Sequence, residues 1–390
     1  MKKLLISLIL TYLSFVINSS AFSQDSKDKD SNEKILRIGV LLPLTGKFQD
    51  IGESFLKSIQ LALHDIGNES IKIYPKDSKG TALNSYLSAK EFEEMGIKIV
   101  IGPIFNENLE RLGEIDNITF ISLTNKTQNI PKNAIAFGIN INSQINILKK
   151  YFKEIKVSKT LFLSPKSQFV DQSKMITDSE LKFSKVFFYD NSPKKITGEI
   201  EKLTNYQERK KDLERRIKIL KKSDLYKDEK ELEKLEQKHT LGKVNFDSVI
   251  VFDFGERLKS VLTSFMFSDV SNEDVNFFTL NQWFDESLFV ENASQNLYFP
   301  AIDLNNLKKF EKNYLKIFDE KPSKVSILTY DALGLIYYCW INNNSQFKSE
   351  HLYNKNGFKG LQGEFLIKNN RSIQNLKIYK ISGKKFVKIY

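Results

Sequence analysis

The chain has 390 residues, a formal net charge of +11 at pH 7 and 41% apolar residues. This apolar fraction is typical of a globular protein and argues against a disordered chain. The length allows two domains of ordinary size. The single cysteine, Cys339, excludes an internal disulfide, and its apolar surroundings favour a buried, inert thiol. The basic excess is spread over the chain, so we interpret it mainly as a contribution to solubility.

The N-terminal residues predict export. Lys2 and Lys3 precede an apolar run, Leu4–Val16, that is too short to cross a bilayer, and small polar residues follow it. This pattern predicts a cleavable signal peptide over residues 1–23, with a retained anchor as the alternative. Residues 24–34 are polar and predict a disordered leader. No cysteine follows the apolar run to form a lipobox, so we expect a periplasmic protein without a lipid anchor.

The next segment alternates strand-like and helical patterns. RIGVLLP, at Arg37–Pro43, predicts a buried strand, and apolar residues then recur at helical spacing from Ile51 to Ile66. Further short runs rich in β-branched residues predict strands at IKIYPKD, IKIVIGP, ITFIS and AIAFGI. A helix between the first two of these runs is predicted to end at Gly96. Repeated βαβ units of this kind predict a parallel sheet with helices on both faces.

The same rhythm restarts after a break near Asn140–Ser143. Strand-like runs follow at KTLFLSP, KVFFYD, DSVIVFD and VNFFTL. One sheet with all these strands would be unusually wide, so the sequence predicts an α/β fold of two doubly wound parallel-sheet lobes with separate cores. Such sheets bind ligands at the carboxyl ends of their strands, and the loop at Pro43–Gly52 lies at such an end. We therefore expect that loop to line a cleft between the lobes.

The segment Asn205–Thr240 predicts a charged helical insert in the second lobe. It is rich in helix-forming residues of both charges, with the basic excess in its first half. Sparse leucines predict either a helical hairpin resembling a short coiled coil or one long bent helix. A solvated helix with i,i+4 ion pairs is the ordinary interpretation, and a docking arm for a partner protein is the alternative.

Several segments in order resemble the type I periplasmic solute-binding proteins, and above all the branched-chain amino-acid-binding members. They are RIGVLLPLTGKFQDIG, the strand that ends at Asp77, and IVIGP at Ile99–Pro103. LTYDALGLIYY, at Leu328–Tyr338, resembles the family's Tyr-Asp-Ala helix, and residues 357–387 resemble its closing strands. The resemblance implies a hinge of three crossovers between the lobes. It assigns residues 35–141 and 301–343 to lobe 1, and 142–300 and 344–390 to lobe 2.

The second half has a narrower likeness. The charged insert, HTLGKVNFDSVIVFDFGERL and TLNQWFDESLF together resemble the penicillin-binding protein activator branch of this family. That likeness implies an interaction protein that regulates a peptidoglycan synthase. The wider family implies the alternative, a substrate-binding protein that delivers branched-chain or other amino acids to an ABC permease.

The family's ligand positions, together with the strand-end loop at Pro43–Gly52, imply twelve cleft residues here. In lobe 1 the ligand's carboxylate would meet hydroxyl and backbone N–H groups at helix starts, where the helix dipole favours an anion. In lobe 2 an acidic group, here Glu256, would meet an ammonium. The chain departs from this pattern in both lobes. IFNENLE replaces the hydroxyl-rich run after Ile-Gly-Pro, and Phe169-Val170 replaces a Tyr-Gly pair. A cleft with these departures suits an activator better than a transport receptor. The implied residues are Thr45, Gly46, Phe48, Phe105, Asn106, Thr124, Asn125, Gln168, Phe169, Glu256, Gln282 and Trp283.

Several of these residues have ordinary structural interpretations. A Thr-Gly pair at a strand end is common in turns, single aromatic residues are usually core residues, and Asp77 could cap a helix. The sequence contains no nucleophile elbow, phosphate-binding loop or metal-spaced His/Cys cluster. We therefore predict no enzyme activity, no catalytic residue, no cofactor and no metal. The mixed charges of the insert also disfavour nucleic-acid binding.

Overall fold

The computed structural model describes residues 34–166, 181–190, 192–223, 226–280 and 286–390. The predicted signal peptide lies outside these residues, and so does the predicted leader except for Lys34. Four of the twelve predicted cleft residues are also outside them: Gln168, Phe169, Gln282 and Trp283. Among the described residues, no helix is both long enough and apolar enough to cross a membrane.

The first of two sheets has eight strands. From one edge to the other their order is β11-β12-β13-β5-β4-β3-β1-β2. Strands β13, β5, β4, β3, β1 and β2 run parallel, and β11 and β12 add an antiparallel edge. The strands are β1 (Leu36–Leu42), β2 (Ile71–Asp77), β3 (Ile99–Ile101), β4 (Thr119–Ser122), β5 (Ala134–Ala136), β11 (Phe358–Gly360), β12 (Gly363–Lys368) and β13 (Arg371–Gln374).

The second sheet has seven strands in the order β15-β14-β10-β9-β8-β6-β7. Its five strands from β10 to β7 are parallel, and β14 and β15 are antiparallel. The strands are β6 (Thr160–Pro165), β7 (Lys185–Tyr189), β8 (Ser248–Val251), β9 (Asn276–Thr279), β10 (Tyr298–Ala301), β14 (Lys377–Ser382) and β15 (Lys385–Lys388). Two mostly parallel sheets with flanking helices confirm the predicted α/β class.

Local signals in the sequence fix several helix ends. The side chain of Thr81 accepts a hydrogen bond from the Asn84 N–H at the start of α2, and Asp303 caps α8 in the same way. Gly67 ends α1 in the left-handed conformation. The helices are α1 (Gln49–Ile66), α2 (Ala82–Glu94), α3 (Ile141–Glu154), α4 (Pro193–Leu203), α5 (Tyr206–Leu220), α6 (Tyr226–Glu236), α7 (Gly255–Phe267), α8 (Leu304–Phe318) and α9 (Ile327–Ile341).

Alternating strand residues pack against helices on opposite faces of each sheet. In β1, Val40 packs with α1 and α9, whereas Leu41 packs with α2 and the helical turns at residues 106–114. In the second sheet, one face packs on α4 and α7, and the other packs on α3. The apolar cluster of α1 and α9 continues through α3 onto the second sheet, where Phe152 contacts Phe278. The two lobes thus share a core on one side, whereas the sequence had predicted separate cores.

The chain crosses between the sheets three times. It leaves the first sheet between β5 and α3, returns between β10 and α8, and leaves again at Asn375–Leu376. The assignment of residues 344–390 wholly to lobe 2 therefore needs a correction, because β11 to β13 belong to the first sheet. The reason is that β13 pairs with β5, while the Asn370 amide donates to the carbonyls of Lys132 and Ala134 and fixes the added edge.

Candidate functional site

The loop after β1 is held by the carboxylate that ends β2. Asp77 accepts hydrogen bonds from the Leu44 N–H (2.8 Å), the Thr45 hydroxyl (2.5 Å) and the Lys79 N–H (2.8 Å). Burial raises the pKa of Asp77, but the hydrogen bonds from Thr45, Lys79 and Leu44 outweigh it and hold the pKa below its usual value. Asp77 therefore fixes the loop instead of capping a helix, and the Thr45 hydroxyl donates to it. Gly46 has a φ of +79°, which explains the glycine as a turn residue.

An aromatic pair lies beside this loop. The rings of Phe48 and Phe105 are 4.5 Å apart between centroids. Gly80 makes room for them, because a Cβ there would lie 2.9 Å from the Phe48 ring. Next to Phe105, the side-chain oxygen of Asn106 is buried and has no hydrogen-bond partner among the described residues. This part of the strand-end edge is thus apolar, with one unsatisfied acceptor.

The loop after β4 uses its hydroxyl group internally. Thr124 is buried, and its hydroxyl oxygen accepts from the Lys126 N–H at 3.1 Å. Asn125 is exposed. All seven predicted first-lobe residues follow the carboxyl ends of the adjacent strands β1, β3 and β4. Of their two threonine hydroxyls, that of Thr45 donates within its own loop, whereas that of Thr124 acts there as an acceptor.

Glu256 in the second lobe lies at the surface. Its side chain is 87% exposed and forms an ion pair of 2.9 Å with Lys259. Glu256 begins α7, where a carboxylate also interacts favourably with the helix dipole. The residue that was predicted to bind an ammonium group therefore faces solvent and pairs with a lysine.

A buried carboxylate three residues earlier was not predicted. Asp253 follows β8, is 3% exposed and binds the guanidinium of Arg257 through both oxygens at 2.9–3.1 Å. The Tyr189 hydroxyl donates to Asp253 at 2.6 Å, and burial together with this bond raises the pKa of Tyr189. Hydrogen bonding to Asp253 raises the pKa of Arg257 as well. The sequence contained one signal for this cluster, an aspartate at a strand end with an arginine four residues later. It contained none for Tyr189, which lies in a strand more than sixty residues earlier in the chain.

This cluster places a paired guanidinium beside an exposed aromatic ring at the edge of the second lobe. The Arg257 guanidinium lies 5.4 Å from the ring centroid of Phe254, whose side chain is 56% exposed. The Asp253 carboxylate is already satisfied, so it cannot serve an incoming ammonium without losing these partners. Chemically, the described edge presents an aromatic ring and a guanidinium.

Two kinds of reactive group, a metal site and a cysteine nucleophile, can be checked among the described residues. No group of three His, Cys, Asp or Glu side chains in the described ranges could hold a metal ion. Cys339 is buried, and burial raises the pKa of its thiol to about 12, so the thiolate nucleophile is not formed near neutral pH.

The hinge contains a buried polar network between two of the three crossovers. The Ser143 hydroxyl donates to the Gln374 side-chain oxygen at 2.8 Å, and the Gln374 amide donates to the Ser372 hydroxyl at 2.7 Å. The Ser372 hydroxyl in turn donates to the Phe137 carbonyl at 3.0 Å. All these side chains are at most 4% exposed. Because each buried group has a partner, the network fixes how the strands cross between the lobes.

The charged insert is a hairpin of α5 and α6 with its own small core. Leu213, Leu220 and Leu235 are buried in a cluster separate from the lobe cores. Ion pairs of 2.8 Å join the helices at Arg216–Glu231 and at Lys221–Glu236. The two helices settle the choice between a hairpin and one long bent helix. We call this hairpin, residues 206–240, the arm.

The base of the arm is anchored to lobe 2 through Arg209. Its guanidinium donates to the carbonyls of Ser268 (3.2 Å) and Asp269 (3.0 Å) and to the Thr240 hydroxyl (2.7 Å). Burial lowers the pKa of Arg209, but the group stays charged at neutral pH because an arginine pKa begins far above it. The backbone of Arg209 also accepts the Leu241 N–H at 3.0 Å. The two ends of the arm are thus adjacent and fixed.

No protein-family model and no curated protein sequence matches the chain. Solved structures do match it. The C-domain of LpoA (YraM) from Haemophilus influenzae, described as a regulator of PBP1A, aligns over 91% of this chain and 100% of its own, with 14% identity and a TM-score of 0.61. A putative branched-chain amino acid ABC transporter protein from Rhodospirillum rubrum aligns over 91% and 100%, with 12% identity and a TM-score of 0.66.

A third match is the substrate-binding protein LivJ from Streptococcus pneumoniae in complex with isoleucine, at 14% identity and a TM-score of 0.55, over 91% of this chain and 99% of its own. The chain has the fold of the type I periplasmic binding proteins. At these identities the matches establish the type I fold and its two lobes, which confirms the predicted resemblance at that level. They do not distinguish a transport receptor from a regulator, since both occur among them.

Proposed function

We propose that the chain is a periplasmic interaction protein that docks on a peptidoglycan synthase and regulates it, with the arm as a contact surface. The observation that carries this proposal is the arm itself. It has an independent core of three leucines, two interhelical ion pairs and a buried arginine anchor, so it is an ordered surface. A solute receptor needs only its cleft and its lobe faces, whereas a docking protein needs such a surface.

The cleft residues support the same proposal. The Thr45 hydroxyl donates to Asp77 within its own loop, and Glu256 pairs with Lys259. These were the groups expected to bind an amino acid's carboxylate and ammonium. The LpoA domain, whose description names a regulator of PBP1A, provides a structural neighbour with such a role.

A transport receptor is the second candidate. It is favoured by the unsatisfied Asn106 oxygen beside the Phe48–Phe105 pair, which could receive a donor from a bound solute. The fold neighbours LivJ and the R. rubrum protein are described as transporter proteins. In this role, the chain would bind an apolar or aromatic solute and present it to an ABC permease.

The adjacent ends of the arm allow a clean test of docking. Residues 210–239 are replaced by a short Gly-Ser linker, because Arg209 and Leu241 are already hydrogen-bonded. We expect the lobes to keep their melting temperature and the protein to lose binding to a purified penicillin-binding protein in biolayer interferometry. A milder variant changes the exposed Lys210, Lys211 and Lys218 to Gln.

The matched control changes three exposed lysines outside the arm, Lys309, Lys312 and Lys316 on α8, to Gln. It should bind the synthase as the native protein does. Undiminished binding after removal of the arm would exclude the arm as a contact surface. A ligand screen separates the second candidate: a solute that raises the melting temperature of the native protein and not of a Phe105→Ala variant would favour transport.

A further inference from the structure

A concave site lies away from the predicted strand-end cleft residues. It is a groove of about 1390 Å³ between α3 of lobe 2 and two parts of lobe 1, namely α9 and the hairpin of β11 and β12. Ordinary small-molecule pockets measure roughly 300–1,000 Å³, so this groove suits a ligand larger than an amino acid. None of the eight predicted cleft residues that the structure describes lines it.

The floor of the groove is apolar. Leu335, Leu361 and Leu376 line it together with Phe358. Along α9 the wall includes Tyr338 and Ile341, which are 51% and 49% exposed although most of this helix is buried. Gly334 widens the groove, because a Cβ at that position would meet no heavy atom within 4 Å. Exposed apolar side chains beside an open floor indicate an apolar ligand.

One wall of the groove is cationic. Lys149, Lys150 and Lys153 line it from α3, and Lys359 lines the facing hairpin. The lining residues include two acidic side chains, fewer than the four lysines, and both accept hydrogen bonds from neutral groups. Glu364 accepts from the Asn375 amide at 3.1 Å, and the buried Asp331 accepts the N–H groups of Leu361 and Gln362 at 2.8 Å. The groove therefore combines an apolar floor with a positively charged wall.

We propose that this groove binds an anionic amphiphile, whose acyl chain lies on the leucine floor and whose acidic head meets the α3 lysines. Charge complementarity selects an anion, and the apolar floor selects a chain of methylene groups. A peptide fits less well, since the strand at the edge of the groove, β11, has only three residues with which an added strand could pair. The proposal is independent of the arm and of the cleft.

Both lobes contribute to this site, and two residues of the hinge network, Ser143 and Gln374, line it. A bound amphiphile therefore contacts α3 and α9 together. Because α3 follows the first crossover and Gln374 precedes the third, the ligand would favour one orientation of the lobes over others.

The test is isothermal titration calorimetry of the full chain, without its signal peptide, with dodecanoate below its micellar concentration. We expect saturable binding of one molecule, weakened roughly tenfold for each two methylene groups removed in decanoate and octanoate. A nonionic amphiphile with the same chain should bind more weakly, and added salt should weaken dodecanoate binding.

Two variants locate the site. The first changes Lys149, Lys150 and Lys153 to Gln and should weaken dodecanoate binding roughly tenfold or more. A control variant that changes Lys309, Lys312 and Lys316 to Gln should leave dodecanoate binding unchanged. The second, Gly334→Leu, places a side chain in the open groove and should abolish dodecanoate binding. The helix content of this variant, measured by circular dichroism, should equal that of the native protein.

The following results would overturn the proposal. They are an absence of saturable binding, equal losses in the two lysine variants, and undiminished binding by Gly334→Leu. An acidic amphipathic peptide is titrated in parallel. Binding of that peptide without binding of dodecanoate would assign the groove to a protein partner and not to a lipid-like molecule.

Discussion

Asp331 makes the stability of the first lobe depend on pH in a way that one substitution can isolate. Its carboxylate lies on α9, is 4% exposed and accepts the backbone N–H groups of Leu361 and Gln362. Burial raises its pKa from 3.8 to about 6, against the opposing effect of the hydrogen bonds from Gln362 and Leu361. The folded state therefore holds the proton more tightly than the unfolded state does.

The sign follows from linkage. A carboxyl group with a raised folded pKa contributes its full stability below pH 3.8, and that contribution is lost as the pH rises through about 6. A shift of about two pKa units corresponds to about 3 kcal/mol at 1.36 kcal/mol per unit. Asp331→Asn removes the titration. We expect the free energy of unfolding of the native protein, relative to this variant, to fall by about 2 kcal/mol between pH 4 and pH 7, because the unfolded carboxyl group is already more than half ionised at pH 4.

The measurement is urea unfolding of both proteins, followed by circular dichroism at half-unit steps from pH 4 to pH 7. The amide also loses one acceptor toward the β11–β12 turn, which costs about 1–3 kcal/mol but does not vary with pH. Other carboxylates titrate equally in both proteins and cancel in the difference. A difference that stays constant with pH, or that grows in favour of the native protein, would refute the assignment of the raised pKa to Asp331.

Three further predictions concern other contacts. Gly360→Ala places a Cβ 2.5 Å from the Asp331 carboxylate and should destabilise the protein by about 1–3 kcal/mol in urea unfolding, whereas Gly198→Ala, in an open helix position, should be neutral or stabilising. Leu213→Ala should cost the arm about 2–5 kcal/mol, read as faster amide exchange in α5 and α6 with unchanged exchange in β1. Gln374→Ala removes the buried hydrogen bonds of Gln374 to the Ser143 and Ser372 hydroxyls and should lower the melting temperature by several degrees. The first expectation would be contradicted by equal stability of Gly360→Ala and Gly198→Ala. The second would be contradicted by unchanged amide exchange in the arm, and the third by an unchanged melting temperature.

Much of the fold could be predicted because its signals are local. Apolar β-branched runs marked the strands, Gly96 marked the end of α2, and the break near Asn140 marked the first crossover. The arm was also visible as a charged helical segment. Its division into two helices was left open by the sequence, and the structure settles it through the core of Leu213, Leu220 and Leu235.

The residues that could not be predicted depend on distant contacts. The third crossover falls at Asn375 and not near residue 343, because β13 pairs with β5 more than two hundred residues earlier. In the sequence, Asp253 has no feature beyond its place at a strand end. Its buried contacts with Tyr189 and Arg257 are visible only in the structure. A glutamate at the start of a helix has the same local sequence whether it is exposed at the surface or binds a ligand. The sequence around Glu256 therefore could not distinguish these two roles.

The short passage from β13 to β14 has a consequence for how the chain is made. Only Asn375 and Leu376 separate a strand that completes one sheet from a strand that extends the other. Neither half can therefore assemble all its strands until roughly the last thirty residues have been made. A chain that ends before Phe358 would lack β11 to β13 in one sheet and β14 and β15 in the other, so both sheets would expose unpaired strand edges, which promote aggregation.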